Sequence, residues 1–260
     1  MKVILCDTNE AICKSWVKFL GRNIRSSSEA RFQFHIHHGS LEPLLKGESS
    51  TNCAVVSPGN SFGYLGGGFD LAIRNYLGGE KFESWFRQQI GPGYHHVGSS
   101  TVVDLGVGSG SGSQIWGNRG IRYIIHVPTM VAPSKPLYDP NFPMRTGYEP
   151  VFNATWNSLA SSISLNVDTL IIPGLCSGWV GVPVEVTCKS MCFALRLYAM
   201  RNQMSVDLQN ALIMYFLKYP FKPFMRSSFK EECRELNINV NQLKNFDAER
   251  DSIESIMPGM

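Results

Sequence analysis

The 260-residue chain contains no run of about 18 apolar residues, the length a helix needs to cross a bilayer, so no membrane span is expected. Charge is scarce. Charged residues make up 17 % and the net charge is only +3, which does not argue for nucleic acid or an anionic membrane, and neither is expected as a partner. A small anionic ligand held by local groups stays compatible with it. No CxxC pair occurs. The seven cysteines are scattered, with Cys188 and Cys192 four apart on a helical pattern and Cys6, Cys13 and Cys53 among apolar residues. They read as buried reduced thiols of an intracellular protein, cytoplasmic or nuclear, and a zinc site is not expected. The opening MKVILCDTNE is too short and too quickly polar for a signal peptide. The run GVGSGSGSQIWG at 106–117 lacks the lysine of a P-loop and a following helix, and reads as a flexible hairpin connection. His35 and His37 share one face of an alternating segment, with His38 beside them. No third metal ligand accompanies them, and an exposed strand face explains them equally well.

What the chain does have is a core. Apolar residues make up 43 %, enough for a globular protein of one or two domains. Apolar runs or alternation predict strands at Lys2 to Cys6, Arg31 to His37, Ala54 to Val56, Thr101 to Leu105, Ile121 to Val127 and Thr169 to Ile172. Helical spacing predicts helices at Glu10 to Leu20, Asp70 to Leu77, Glu80 to Ile90, Phe152 to Ile163 and Val184 to Met200. Val206 to Leu217 fits strand and helix equally. Strands alternating with helices imply an α/β fold with a largely parallel sheet. After Tyr219 prolines and charges displace periodicity. The chain therefore divides into a main domain at 1–219 and a partly ordered C-terminal extension at 220–260, with one helix at most.

Two loops carry chemistry. In VVSPGNSFGYLGGGFD at 55–70 an apolar strand runs through a polar turn and a glycine triplet into a helix. In IIPGLCSGWVGVP at 171–183 a second buried strand does the same. Glycines let a ligand approach the backbone, and amides converging at a helix N-terminus suit an anion. In a parallel sheet both loops lie at one edge, where such folds bind ligands. Two facing amide-rich loops suggest a pyrophosphate clamp.

These segments resemble the macrodomain family, an ADP-ribose-binding family with a three-layer α/β/α fold around a mixed, mostly parallel sheet. The resemblance covers about residues 30–200. The opening strand–helix unit, the Ser57-Pro58-Gly59-Asn60 turn and Val127-Pro128-Thr129-Met130 look most like the fungal ADP-ribose 1''-phosphate phosphatase group, linked to a by-product of tRNA splicing. By this resemblance Asn60 holds the distal ribose, with Ser57 in the same turn and Gly66, Gly67 and Gly68 beneath it. Asp70 matches the aspartate of hydrolytic macrodomains. Pro173, Gly174, Leu175, Cys176, Ser177 and Gly178, with Trp179, match the diphosphate loop. His126 matches a histidine often found in the neighbouring strand. Asn60, Asp70 and His126 are the catalytic candidates. Two departures stand out. The aspartate that binds adenine in the family is replaced here by Ser40, between Gly39 and Leu41, so Asp7 is the substitute candidate. The aromatic of the second loop is Trp179, with Val180 in the family's aromatic position.

Each residue also has a plain structural reading. Asp70 caps a helix, Asn60 supports a turn, His126 is a core histidine and Trp179 is packing. The resemblance implies a phosphomonoester hydrolase acting on ADP-ribose 1''-phosphate, without cofactor or metal and as a monomer. Removal of ADP-ribose from proteins and non-catalytic reading of ADP-ribose are the alternatives.

Overall fold

Alternation along the strands sorts their side chains onto two faces, and helices cover both. The computed structural model describes residues 1–21, 32–48, 50, 52–106, 120–221 and 227–258. Its strands are β1 (Lys2–Asp7), β2 (Gln33–His38), β3 (Cys53–Ser57), β4 (Thr101–Asp104), β5 (Tyr123–His126) and β6 (Thr169–Ile172). They form one sheet in the order β2-β1-β6-β3-β5-β4, parallel throughout except for β4, which pairs antiparallel with β5.

Val3, Leu5, Ala54, Val56, Leu170 and Ile172 face one core. Their neighbours Ile4, Cys6, Cys53, Val55 and Ile171 face the other. The first core is covered by α1 (Glu10–Leu20), α5 (Glu149–Ser164), α6 (Val184–Met200) and α7 (Val206–Phe216). The second is covered by α2 (Leu41–Gly47), α3 (Gly68–Leu77) and α4 (Glu80–Gln89). The result is the expected three-layer α/β/α arrangement. Strands buried on both faces read as continuous apolar runs, which is why they were legible.

The ambiguous segment at 206–217 is helical. Ser205 caps it, its hydroxyl accepting from the Leu208 amide at 3.1 Å. The extension differs from expectation. It holds α8 (Ser227–Glu235), α9 (Val240–Lys244) and a 3₁₀ turn at Ile253–Ser255, more than the one helix foreseen. Phe229, Cys233, Leu243, Phe246, Ile253 and Ile256 are buried in the first core. The Phe246 ring stacks on Phe216 at 6.0 Å. Tyr148 Oη and Lys189 Nζ both donate to the Ala248 carbonyl, at 2.9 and 2.7 Å. The buried Arg196 guanidinium pairs with Glu254. Phe229, Cys233 and Leu236 form a helical stripe only two turns long, and the remaining apolar residues fall in short turns, so periodicity is a weak signal there.

All seven cysteines are buried free thiols. No group of three metal-binding side chains occurs among the described residues, and no helix among them is long and apolar enough to cross a membrane. Most of the glycine-serine run, residues 107–119, lies outside the described residues, as does Arg31.

Candidate functional site

The carboxyl ends of β2, β1, β6, β3 and β5 open on one edge, and a cleft of about 700 Å³ lies across them. At roughly 4.8 Å between strands it is about 19 Å long from β2 to β5. Asp7, Thr8, Gly39, Ser40 and Leu41 line one end. The middle is built from the two glycine loops, Gly66, Gly67 and Gly68 on one side and Pro173, Gly174, Cys176, Ser177, Gly178 and Trp179 on the other. Asp70, Pro58, Gly59 and Asn60 follow, and then an annex of Phe62, Tyr64, Met130, Ala132 and Pro133.

The middle is rich in donors. Gly67 opens α3 without any side-chain cap, and among the described residues the amides from Gly66 to Asp70 have no protein acceptor. The same holds for the amides from Cys176 to Val180. Cys176 adopts φ 63°, a left-handed conformation that costs a non-glycine residue energy and turns the loop sharply. Burial pushes its thiol up to about 12, so it is no nucleophile. Gly174 is required by close approach: a Cβ there would stand 2.8 Å from Asp7 Oδ2. The Gly174 amide donates to that same oxygen at 3.2 Å, and Asp7 Oδ1 accepts from the Asn9 amide at 2.8 Å. Asp7 thus ties the β1 end to the second loop. Trp179 is 60 % exposed, and its indole reaches across the cleft. A Cβ on Gly67 would lie 3.5 Å from Trp179 Nε1.

Asp70 is the third residue of α3, so the capping reading fails; Gly67 holds the cap position. The Asp70 carboxyl is buried and accepts one hydrogen bond, from Ser57 Oγ at 2.8 Å. Desolvation raises its pKa to about 7, against a smaller lowering by Ser57. Asp70 is therefore partly protonated near neutral pH. Ser57 itself does not line the cleft and acts through Asp70. Leu175 is fully buried and does not line it either.

Asn60 lines the cleft, but its side chain is occupied with its own loop. Its Oδ1 accepts from the amides of Phe62 (3.1 Å) and Tyr64 (3.4 Å), and its Nδ2 donates to the Tyr64 carbonyl at 2.7 Å. His126 ends β5, the strand where the sequence places it, but it does not reach the cleft as a catalytic candidate. It is fully buried behind Gly59 and absent from the cleft wall. A Cβ on Gly59 would come within 2.7 Å of His126 Cε1 and 3.0 Å of Asp70 Oδ2, so only glycine separates the two. Neither ring nitrogen has a hydrogen-bond partner of good geometry. Phe86 and His95 pack edge-on against the ring at 5.6 and 5.9 Å. Desolvation foremost, with His95 adding to it and the Asn60 backbone opposing weakly, lowers the His126 pKa to about 4. The ring is neutral at physiological pH.

Sequence reasoning missed the annex. Two aromatics inside a glycine-rich turn, Phe62 and Tyr64, were the available signal. Met130, Ala132 and Pro133 reach the site because the Asn60–Met130 bridge and the backbone bonds of Gly59 and Ser61 lay their segment beside the loop. Among the described residues lining the cleft there is no lysine, arginine or histidine, so an anion there relies on uncharged donors, the loop amides foremost.

The profile of the Macro-like domain family matches residues 1–260. A curated relative, an uncharacterized protein of Aquifex aeolicus, is 28 % identical over 162 residues, covering 61 % of this chain and 84 % of its own. Among solved structures, the Oceanobacillus iheyensis macrodomain with MES bound is 18 % identical with TM-score 0.45, covering 60 % of this chain and 73 % of its own. The macrodomain of Mycobacterium tuberculosis DarG is 18 % identical with TM-score 0.43, covering 64 % and 89 % respectively.

Proposed function

The chain belongs to the Macro-like domain family, and from that premise we propose that its cleft binds ADP-ribose and hydrolyses ADP-ribose 1''-phosphate. The carrying observation is a buried carboxyl, Asp70, with its pKa raised to about 7, beside uncapped amides at the start of α3. The diphosphate lies between the amides of 66–70 and those of 176–180, which supply the donors that absent cations would otherwise provide. The base points toward Asp7, Ser40 and Leu41, and the distal ribose toward Asn60 and Asp70.

Water attacks the terminal phosphorus, the bond from phosphorus to the C1'' oxygen breaks, the water's protons stay on the phosphate formed, and the departing sugar oxygen takes a proton from Asp70, which regains one from solvent. Protonated Asp70 is the donor. A neutral acid is compatible with an adjacent phosphate dianion, whereas an ionised one would repel it. Helix amides offset charge developing on the phosphoryl oxygens. Asn60 positions the loop, and His126 supports Gly59 from behind without touching substrate. Products are ADP-ribose and inorganic phosphate.

Release of inorganic phosphate from ADP-ribose 1''-phosphate, measured beside release of ADP-ribose from modified protein, tests the reading. Tight ADP-ribose binding without phosphate release above buffer overturns the phosphatase assignment. In that event, ADP-ribose released from modified protein makes the chain an ADP-ribosyl hydrolase, and none makes it a reader.

A further inference from the structure

The annex beyond Asp70 has no part in holding a diphosphate or a phosphoryl group. Phe62 and Tyr64 keep 41 % and 50 % of their surface exposed, although both line the cleft. Both are held in place. Arg87 lies 3.8 Å over one face of the Tyr64 ring and donates through Nε to the Phe62 carbonyl at 3.2 Å. Phe62 packs edge-on against Tyr94 at 6.1 Å. Asn60 fixes the backbone between them through three hydrogen bonds. Rings ordered in advance lose little entropy when a ligand stacks on them. The facing wall, Met130, Ala132 and Pro133, is uncharged.

Resting on the reading that this cleft binds ADP-ribose, we propose that the annex is a subsite for a planar aromatic group attached at C1'' of the distal ribose. Its position follows from chain continuity. Asp70, Gly59 and Asn60 stand at the ribose end, and Phe62 and Tyr64 come two and four residues after Asn60 on the same pinned loop. A substituent leaving C1'' away from the diphosphate therefore meets aromatic faces. Aromatic rings prefer offset or edge contact with another π-system, and an electron-poor or cationic ring strengthens that preference. Asp70 is the one carboxyl lining that end, and Arg87 already occupies one face of the Tyr64 ring, so the contact is carried by stacking and not by charge. The subsite extends the ligands from a phosphomonoester to N-glycosides of ADP-ribose with a flat heteroaromatic ring.

NAD, which carries a pyridinium ring at that carbon, is the probe. Titration calorimetry of the full chain with ADP-ribose and with NAD is expected to give NAD an affinity equal to or higher than that of ADP-ribose. Phe62→Ala and Tyr64→Ala, both at exposed positions, are expected to weaken NAD at least fivefold and to change ADP-ribose less than twofold. Tyr64→Phe is expected to keep wild-type NAD affinity. NAD binding more than tenfold weaker than ADP-ribose in the wild type overturns the subsite, as does an equal loss of both ligands in the alanine variants. Failure of the wild type to bind ADP-ribose at all overturns the underlying reading, and the subsite with it.

Discussion

Ser57 Oγ donates to Asp70 Oδ1 at 2.8 Å, joining the last residue of β3 to the third residue of α3. One hydrogen bond does not compensate for the burial of the carboxyl, and its proton is held up to about pH 7. The bond also directs Oδ2 toward Gly59 and the cleft.

Replacing that carboxyl by an amide separates chemistry from binding. Asp70→Asn keeps the size of the side chain and an acceptor for Ser57 but donates no acidic proton. Phosphate release from ADP-ribose 1''-phosphate is expected to fall by about 100-fold or more. ADP-ribose affinity is expected to change by less than about tenfold, since the loss falls on the transition state. Single-turnover kinetics with parallel calorimetry check both. An unchanged turnover rate would remove Asp70 from the mechanism.

A protonated acid gives a definite pH profile. The active form is lost as pH rises through the Asp70 pKa, so kcat/KM is expected to fall above about pH 7. A rising limb at that pH would instead make Asp70 the base. Initial rates between pH 5 and 9 decide it.

The same shift has a stability consequence of opposite sign to the usual carboxylate. Because the folded pKa, about 7, lies above the ordinary 3.8, the native state holds the proton more tightly than the unfolded chain. Asp70 is therefore not penalised below about pH 4. It costs stability increasingly as pH rises to about 7, on the order of a few kcal/mol in full. Asp70→Asn is expected to raise Tm by several degrees at pH 8 and to leave it unchanged near pH 4, as calorimetric scans at the two pH values would show.

The glycine loops admit a sharp binding test. Gly178 has open space where a Cβ would go, and at Gly67 the nearest atom is Trp179 Nε1 at 3.5 Å. Gly67→Glu and Gly178→Glu are thus expected to fold. Each would place a carboxylate where the diphosphate belongs, and ADP-ribose binding should drop below detection. Retained affinity with a native circular dichroism spectrum would place the ligand elsewhere.

The C-terminal segment is expected to be structural. Leu243 is fully buried in the main core. Leu243→Ala should cost about 2–5 kcal/mol in urea unfolding, the range for a buried leucine cavity. A cost below about 0.5 kcal/mol would mean that residues 227–258 pack loosely.

Some of this was local and so legible in sequence. The central strands β1, β3, β5 and β6 announce themselves because burial on both faces makes them near-continuous apolar runs, and the edge strand β2 does so by alternation. The two glycine loops do so because a backbone that must approach a ligand excludes side chains at particular positions. Asp70 stood out by its place after the triplet. Other features depend on what the rest of the chain brings near. His126 sits in an apolar strand either way; only the packing of Phe86, His95 and Gly59 around it seals it behind the cleft. The third helical position of Asp70 puts it near a helix start, but its raised pKa comes from desolvation, which a sequence does not display. Phe62 and Tyr64 become a platform through Arg87 and Tyr94, which lie well further on in the chain. Residues 227–258 join the core through their buried apolar side chains and because the Ala248 carbonyl and Glu254 help satisfy the buried polar groups of Tyr148, Lys189 and Arg196. Local propensity and patterning thus determined the elements and the ligand-facing loops. Burial and hydrogen-bond satisfaction are properties of the assembled neighbourhood, and they decided which side chains reach the cleft and in which protonation state.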